Sequence, residues 1–197
     1  MKTDIKEKST QAAIPSRADC LALMAAYGML PNIREHSLLV REVAVHLGTS
    51  LHEAGFGLNL DLIEAGALLH DLGKTYCLGT SINHAEWGAQ VLDSAGYPEV
   101  AQIVREHVYL ESEVEEPLAV REAEVVNYAD KRVLHTQVVT LPVRFADLQE
   151  RYGKSEEARR RIAGLAVKAQ RLEGKLFACL SFNPMDLLKL NHARREP

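Results

Sequence analysis

Six residues in this chain have the type and placement to hold metal ions: His36, His70, Asp71, His84, His107 and Asp130. Five of them fall on the apolar face of a helix that the sequence predicts, and Asp71 stands next to His70. His36 lies three residues after Ile33, on a face continued by Val40, Val43 and Leu47. His70 lies four residues after Gly66, on the stripe of Leu62 and Leu69. His84 precedes Trp87 by three and Val91 by seven. His107 follows Val100, Ile103 and Val104, and Asp130 sits between Val126 and Val133. A lone histidine on such a face is ordinarily a hydrogen-bonded core residue. A buried carboxylate is different, because without a cation or several donors its burial is costly. Two carboxylates converging with four histidines are answered together by a shared metal site. Adjacent helical residues point about 100° apart, so His70 and Asp71 both reach one ion only near a helix end. Gly73 supplies that end. Imidazole with carboxylate suits Fe, Mn, Co, Ni or Zn, and not Ca or Mg alone.

The elements that must position these groups read as helix after helix. Asp19 is expected to cap a helix running to Leu30, Asn32 one running toward Gly55, and Asp61 a helix over Leu62–Leu72. Asn83 caps His84–Ala95 with Gly96 as the stop, and Pro98 or Glu99 opens a helix to His107. After an acidic loop, Glu111–Glu116, helices are expected at Pro117–Val133, Pro142–Tyr152 and Ser155–Leu180, with a short one after Pro184. The only alternating pattern, Gln137–Leu141, is a weak strand signal. The fold class is therefore all-α, a single-domain bundle of about eight to nine helices.

The bulk composition narrows the function. The 197 residues suffice for one domain with a substantial core. A net charge of −4 argues against a nucleic-acid coat or a membrane-surface role, so neither a membrane nor specific nucleic-acid binding is expected. The charge is uneven: residues 154–197 hold ten Lys/Arg and five Asp/Glu, which reads as a well-solvated terminal helix. Cys20, Cys77 and Cys179 stand far apart, with no disulfide framework or zinc knuckle in prospect. Residues 1–16 are polar, are expected to form a disordered tail, and lack the apolar segment of a signal peptide. A cytoplasmic location is the expectation.

The order His36 … His70-Asp71 … His84 … His107 … Asp130, with Gly73-Lys74 after the doublet, resembles the HD-domain superfamily of metal-dependent phosphohydrolases. The resemblance covers roughly residues 32–135. It implies an HD-type metal-binding helical domain over 17–153, with the 154–197 helices packing on it. It further implies that His36, His70, Asp71 and Asp130 ligate one metal. His84 and His107 would bind a second, with Asp71 bridging. Two divalent transition-metal ions follow, Fe or Mn first, with Ni, Co or Zn as alternatives. Such ions lower the pKa of a bridging water and clamp phosphoryl oxygens. Gly96-Tyr97-Pro98 invites comparison with a cyclic-di-GMP-cleaving branch of the superfamily. There the signature follows a paired His-His, whereas here it precedes His107, so it reads as a helix stop and restart.

The function expected is hydrolysis of a phosphoester or phosphoanhydride bond in a nucleotide or other small phosphorylated substrate, with Asp71 and Lys74 as catalytic residues. Lys74, Lys131, Arg132 and Arg144 are the candidate substrate contacts. Tyr76, Trp87 and Tyr109 are candidates for stacking on a base, with Trp87 better placed as core. His46, His52, His135 and His192 are left as surface or supporting groups. The rival reading is a mixed-valence di-iron oxygenase on the same six ligands, since the Gly-Lys pair occurs in that branch too. The hydrolase is preferred on its frequency in the superfamily. A regulatory module without catalysis is disfavoured by the intact ligand set. The Ser155–Leu180 helix can pack within the domain or against a second copy, which leaves a homodimer open.

Overall fold

Capping chemistry sets where the helices begin. A computed structural model describes residues 13–111 and 119–193. Ser16, not Asp19, caps helix α1 (Arg17–Ala26); Asp19 closes the capping box from the third helical position, with its Oδ2 accepting from the Ser16 N–H. Helix α2 (Pro31–Glu53) starts at Pro31, whose fixed φ suits the first helical position, rather than behind Asn32. Asn59, not Asp61, caps α3 (Leu60–Leu69). The segment after Gly73, expected as loop, holds one helical turn, α4 (Lys74–Cys77). Asn83 caps α5 (His84–Ser94) as expected, and α6 spans Pro98–Glu106. Gly96 has a φ of +86°, the left-handed stop that lets Pro98 restart the chain.

Helix α7 (Glu122–Lys131) begins later than the expected Pro117, with residues 112–118 lying outside the described residues. Of the expected N-terminal tail, residues 1–12 also lie outside them. The weak strand signal at Gln137–Leu141 resolves into a two-stranded hairpin. Strand β1 (Val133–Leu134) pairs antiparallel with β2 (Gln137–Val138), and Leu141 already opens α8 (Leu141–Tyr152). Helix α9 (Glu156–Phe177), a 3₁₀ turn (Pro184–Lys189) and α10 (Leu190–Ala193) complete an all-α single domain. Among the described residues no helix is long and apolar enough to cross a membrane.

Helix α3 is the axle. Ile63, Ala65, Ala67, Leu68 and Leu69 are all buried, and only Asp61 and Glu64 give it a polar edge. It packs against α2, α7, α6 and α1. Gly66 permits the contact with α6, since a Cβ there would meet Ile103 Cγ2 at 2.6 Å. Each fully buried leucine of α3 contributes about 1.5–3 kcal/mol by leaving water. Leu68→Ala therefore costs about 2–5 kcal/mol once the cavity is counted.

The C-terminal helices are tied to this core by buried charge. Lys175 on α9 donates to both Glu124 carboxylate oxygens on α7, at 2.7 and 2.9 Å. Tyr128 donates to Glu173 Oε2 at 2.5 Å while accepting from Arg132 Nη1. Helix α9 thus packs within its own chain.

Candidate metal centre

Four helix ends and one helix interior deliver the donors. The doublet falls just past the last residue of α3, where His70 and Asp71 escape the helical 100° offset. His84 is the first residue of α5 and His107 follows α6, while Asp130 lies in the last turn of α7. His36 comes from within α2. Gly73 is the joint between the two halves. Its φ of −78° is ordinary, so the need is for space. A Cβ would lie 2.4 Å from the His84 carbonyl oxygen and 3.0 Å from Trp87 Cε3. Only glycine lets the doublet turn dock on the start of α5.

The donors form two trios that share Asp71: His36, His70 and Asp71, and Asp71, His84 and His107, with the ligand atoms of each trio all within 4.8 Å of one another. Asp130 joins the first, its Oδ1 lying 3.1 Å from His36 Nε2 and 3.7 Å from His70 Nε2. In the second, Asp71 Oδ1 is 3.3 Å from His84 Nε2 and 3.7 Å from His107 Nε2.

Backbone carbonyls choose the histidine tautomers. The Nδ1–H of His70 donates to Ala67 O at 2.8 Å, that of His107 to Val104 O at 2.6 Å, and that of His36 to His135 O at 3.3 Å. These bonds aim the three Nε2 lone pairs at the centre. Lone pairs then face lone pairs. His84 Nε2 and His107 Nε2 are 3.1 Å apart, and His36 Nε2 stands against an Asp130 oxygen. His70 Nε2 and Asp71 Oδ1 are buried without a hydrogen-bond partner among the described residues. Cations between these atoms resolve every one of these contacts, so the residues present fit transition ions.

The local electrostatics point the same way. Burial penalises ionised Asp71, yet His70 and Lys74 hold it well below the usual carboxylate range. Burial likewise opposes Asp130, but the His36 hydrogen bond, Arg144 and Lys131 hold it low. For His70 burial favours the neutral ring, but Asp71 and Asp130 outweigh it and push the pKa up. The carboxylates favour a positive charge at this point, which a bound metal ion would supply. His107 is the converse: burial, reinforced by His70, pushes it down to about 3. It is a neutral ligand at any ordinary pH.

A cavity of about 440 Å³ opens above the donors, with Asp71, His84, His107 and Asp130 in its lining. Lys74 and Arg144 line it too. The Lys74 ammonium sits 2.7 Å from Asp71 Oδ2. Lys131 reaches the cavity, but its ammonium donates to the His107 and Asn127 carbonyls, and burial with Arg144 nearby lowers its pKa to about 8. Arg132 is not brought to the site. Its guanidinium is buried against Val139 O, the Tyr128 hydroxyl and Pro184 O, where it clamps the hairpin and the C-terminal turn to α7. Tyr76 and Trp87 stack on each other with centroids 4.5 Å apart and do not line the cavity, whereas Tyr109 does.

Other supporting residues gave little signal in the sequence. Asn127 donates to the Glu106 and His107 carbonyls, fixing the backbone that carries His107. A polar residue three before Asp130 in an apolar stripe was the available cue. The His135 contribution is a backbone carbonyl at the hairpin turn, where φ is +53°; no side-chain pattern reports it.

A family model for the HD domain matches residues 33–133. An uncharacterized protein of Methanocaldococcus jannaschii is 28% identical over 143 residues, 66% of this chain and 83% of that one. The tRNA (cytidine(56)-2'-O)-methyltransferase of Thermoplasma volcanium is 35% identical over 96 residues, 48% of this chain. Those residues are 26% of that protein's length. The crystal structure of a predicted HD superfamily hydrolase from an uncultured Thermotogales bacterium aligns with a TM-score of 0.47 at 18% identity, over 83% of this chain and 92% of that one. The family match spans more than half of the sequence and contains all six donors, and the chain belongs to the HD-domain superfamily.

Proposed function

We propose that this protein is a metal-dependent phosphohydrolase that holds two transition ions and cleaves a phosphoester or phosphoanhydride bond in a small, nucleotide-sized phosphate compound. The observation that carries the reading is the sharing of Asp71 between two donor trios, at the floor of a cavity lined by Asp71, His84, His107, Asp130, Lys74 and Arg144. Two divalent ions against two carboxylates leave a net positive floor, which suits an anionic substrate. Bound ions of this kind activate water and neutralise phosphoryl oxygens.

The chain's own groups do the rest. The two carboxylates and four imidazoles fix where the ions sit. Lys74, 36% exposed in its side chain, is placed to bind a phosphate oxygen while remaining paired to Asp71. Arg144, whose Nε is buried and unpartnered among the described residues, offers a second, directional contact. Lys131 adds charge from beneath, with two of its three ammonium protons already given to backbone carbonyls.

The test is phosphate release from nucleotides, dinucleoside polyphosphates and simple esters by protein loaded with Mn or Fe, with and without O₂. Anaerobic release supports the reading. Turnover that stops without O₂ and resumes with it establishes the di-iron oxygenase instead. Lys74→Ala should raise KM or lower kcat by about tenfold or more while leaving metal content intact.

A further inference from the structure

The family match ends at Val133, yet one wall of the cavity is built downstream of it, by α8 and α9. Helix α8 presents Arg144, Leu148 and Arg151 to the cavity, with Phe145 beside them. Positions 144, 148 and 151 are four and then three apart, so they share one helical face. At ~1.5 Å of rise per residue, Arg151 stands roughly 10 Å along the axis from Arg144. The inner end lies by the donors: the Arg144 side chain is 12% exposed and acts on Asp130. The outer end lies at the mouth, where the Arg151 side chain is 44% exposed.

Asp147 reaches both guanidinium groups, 3.4 Å from Nη1 of Arg144 and 3.3 Å from Nη1 of Arg151. One carboxylate orients two cations and leaves one charge in excess. On the same wall α9 adds Arg161, a second, exposed cation with no ion pair among the described residues. Between the two ends the wall is apolar, built by Phe145 and Leu148 of α8 with Ile162 and Leu165 of α9.

We propose that the cavity takes a substrate with two anionic ends. Phosphate lies at the donor end, an apolar or planar body lies against the α8–α9 band, and a carboxylate or second phosphate is held by Arg151 and Arg161. The order of the wall selects this class. A polyphosphate chain would need cations where the band is apolar, and a minimal phosphate would leave the band and both outer arginines unused. A volume of about 440 Å³ admits one body of nucleotide size. The nature of the donor-end group rests on the phosphohydrolase reading; the outer subsite stands apart from it.

Two phosphonates that cannot be hydrolysed test the subsite: biphenyl-4-ylmethylphosphonate and its 4′-carboxylate, which sets a second anion at about the span between Arg144 and Arg151. Their binding to the metal-loaded full chain is measured by calorimetry at low salt. The wild type should prefer the carboxylate by about tenfold, Arg151→Gln and Arg161→Gln should each cut that ratio by about threefold, and the double variant should bring it near one. Lys168→Gln, an exposed α9 lysine outside the cavity lining, should leave the ratio as it was. Circular dichroism and metal content confirm that the variants fold. Equal binding of the two phosphonates by the wild type, or equal loss of both in the double variant, overturns the proposal. If no phosphate ester is hydrolysed while the carboxylate preference persists, the hydrolase reading fails and the subsite stands.

Discussion

The two donor trios share Asp71 but differ in construction. In the first, His36 and His70 come from α2 and α3, both packed in the core, and each ring is oriented by a backbone carbonyl. In the second, His107 is equally enclosed, but His84 opens a helix behind the 78–83 loop, and its side chain is 28% exposed. The first trio is therefore preorganised by the fold. The second exists only while α5 stays docked on the Gly73 turn. On this comparison the first position should bind metal tightly and the second should exchange more readily.

The largest effect falls on the residue common to both. Asp71→Ala should strip both ions and lower phosphate release by more than about 100-fold, read by elemental analysis and kinetics. Retention of either ion would show that the trios do not depend on a common oxygen. Next comes the joint. Gly73→Ala forces a Cβ to 2.4 Å from the His84 carbonyl, so α5 must shift. The variant should lose the second ion, keep the first, and be destabilised by about 1–3 kcal/mol in thermal or denaturant unfolding. A variant with both ions and wild-type stability would remove the basis for the contrast.

The smallest effect concerns what holds His107. Glu106, beside it and buried, takes two hydrogen bonds from the Arg121 guanidinium at 3.0 and 2.9 Å. Burial opposes its ionisation, but Arg121 and Gln102 win and lower its pKa below the ordinary 4.5. A depressed carboxyl stabilises the fold above its unfolded value and loses that contribution as pH falls through the folded one. Glu106→Gln should thus cost about 1–2 kcal/mol at pH 7. Measured on chelator-treated protein, its deficit should shrink as pH drops below about 4.5. A deficit that stays constant with pH would mean that charge plays no part in the clamp.

The convergence of these six side chains and the helical class were legible because they depend on short-range pattern. A His or Asp on an apolar stripe of period 3.6 must face inward, and Asn83, Gly96 and Pro98 punctuate the chain by local backbone chemistry. What pattern could not reveal was tertiary. Arg132 looked like a neighbour of Asp130 available to phosphate, yet two helical steps of about 100° each turned it to the opposite side, into carbonyls of the hairpin and the Pro184 turn. Gly73 read as a helix stop, whereas its role is contact with a helix that begins eleven positions later. The His135 carbonyl carries no side-chain signature. The α8–α9 wall was hidden because an arginine at a solvent-facing spacing reads the same whether it faces water or a cavity mouth.

Metal stoichiometry at saturation tests the central claim most directly. Purified apoprotein is titrated anaerobically with Mn(II) or Fe(II), and bound metal per chain is measured for the wild type and for His84→Ala. Two inequivalent ions in the wild type and one, the tighter, in His84→Ala are predicted. A wild type that saturates at one ion, or a His84→Ala protein that still binds two, contradicts it.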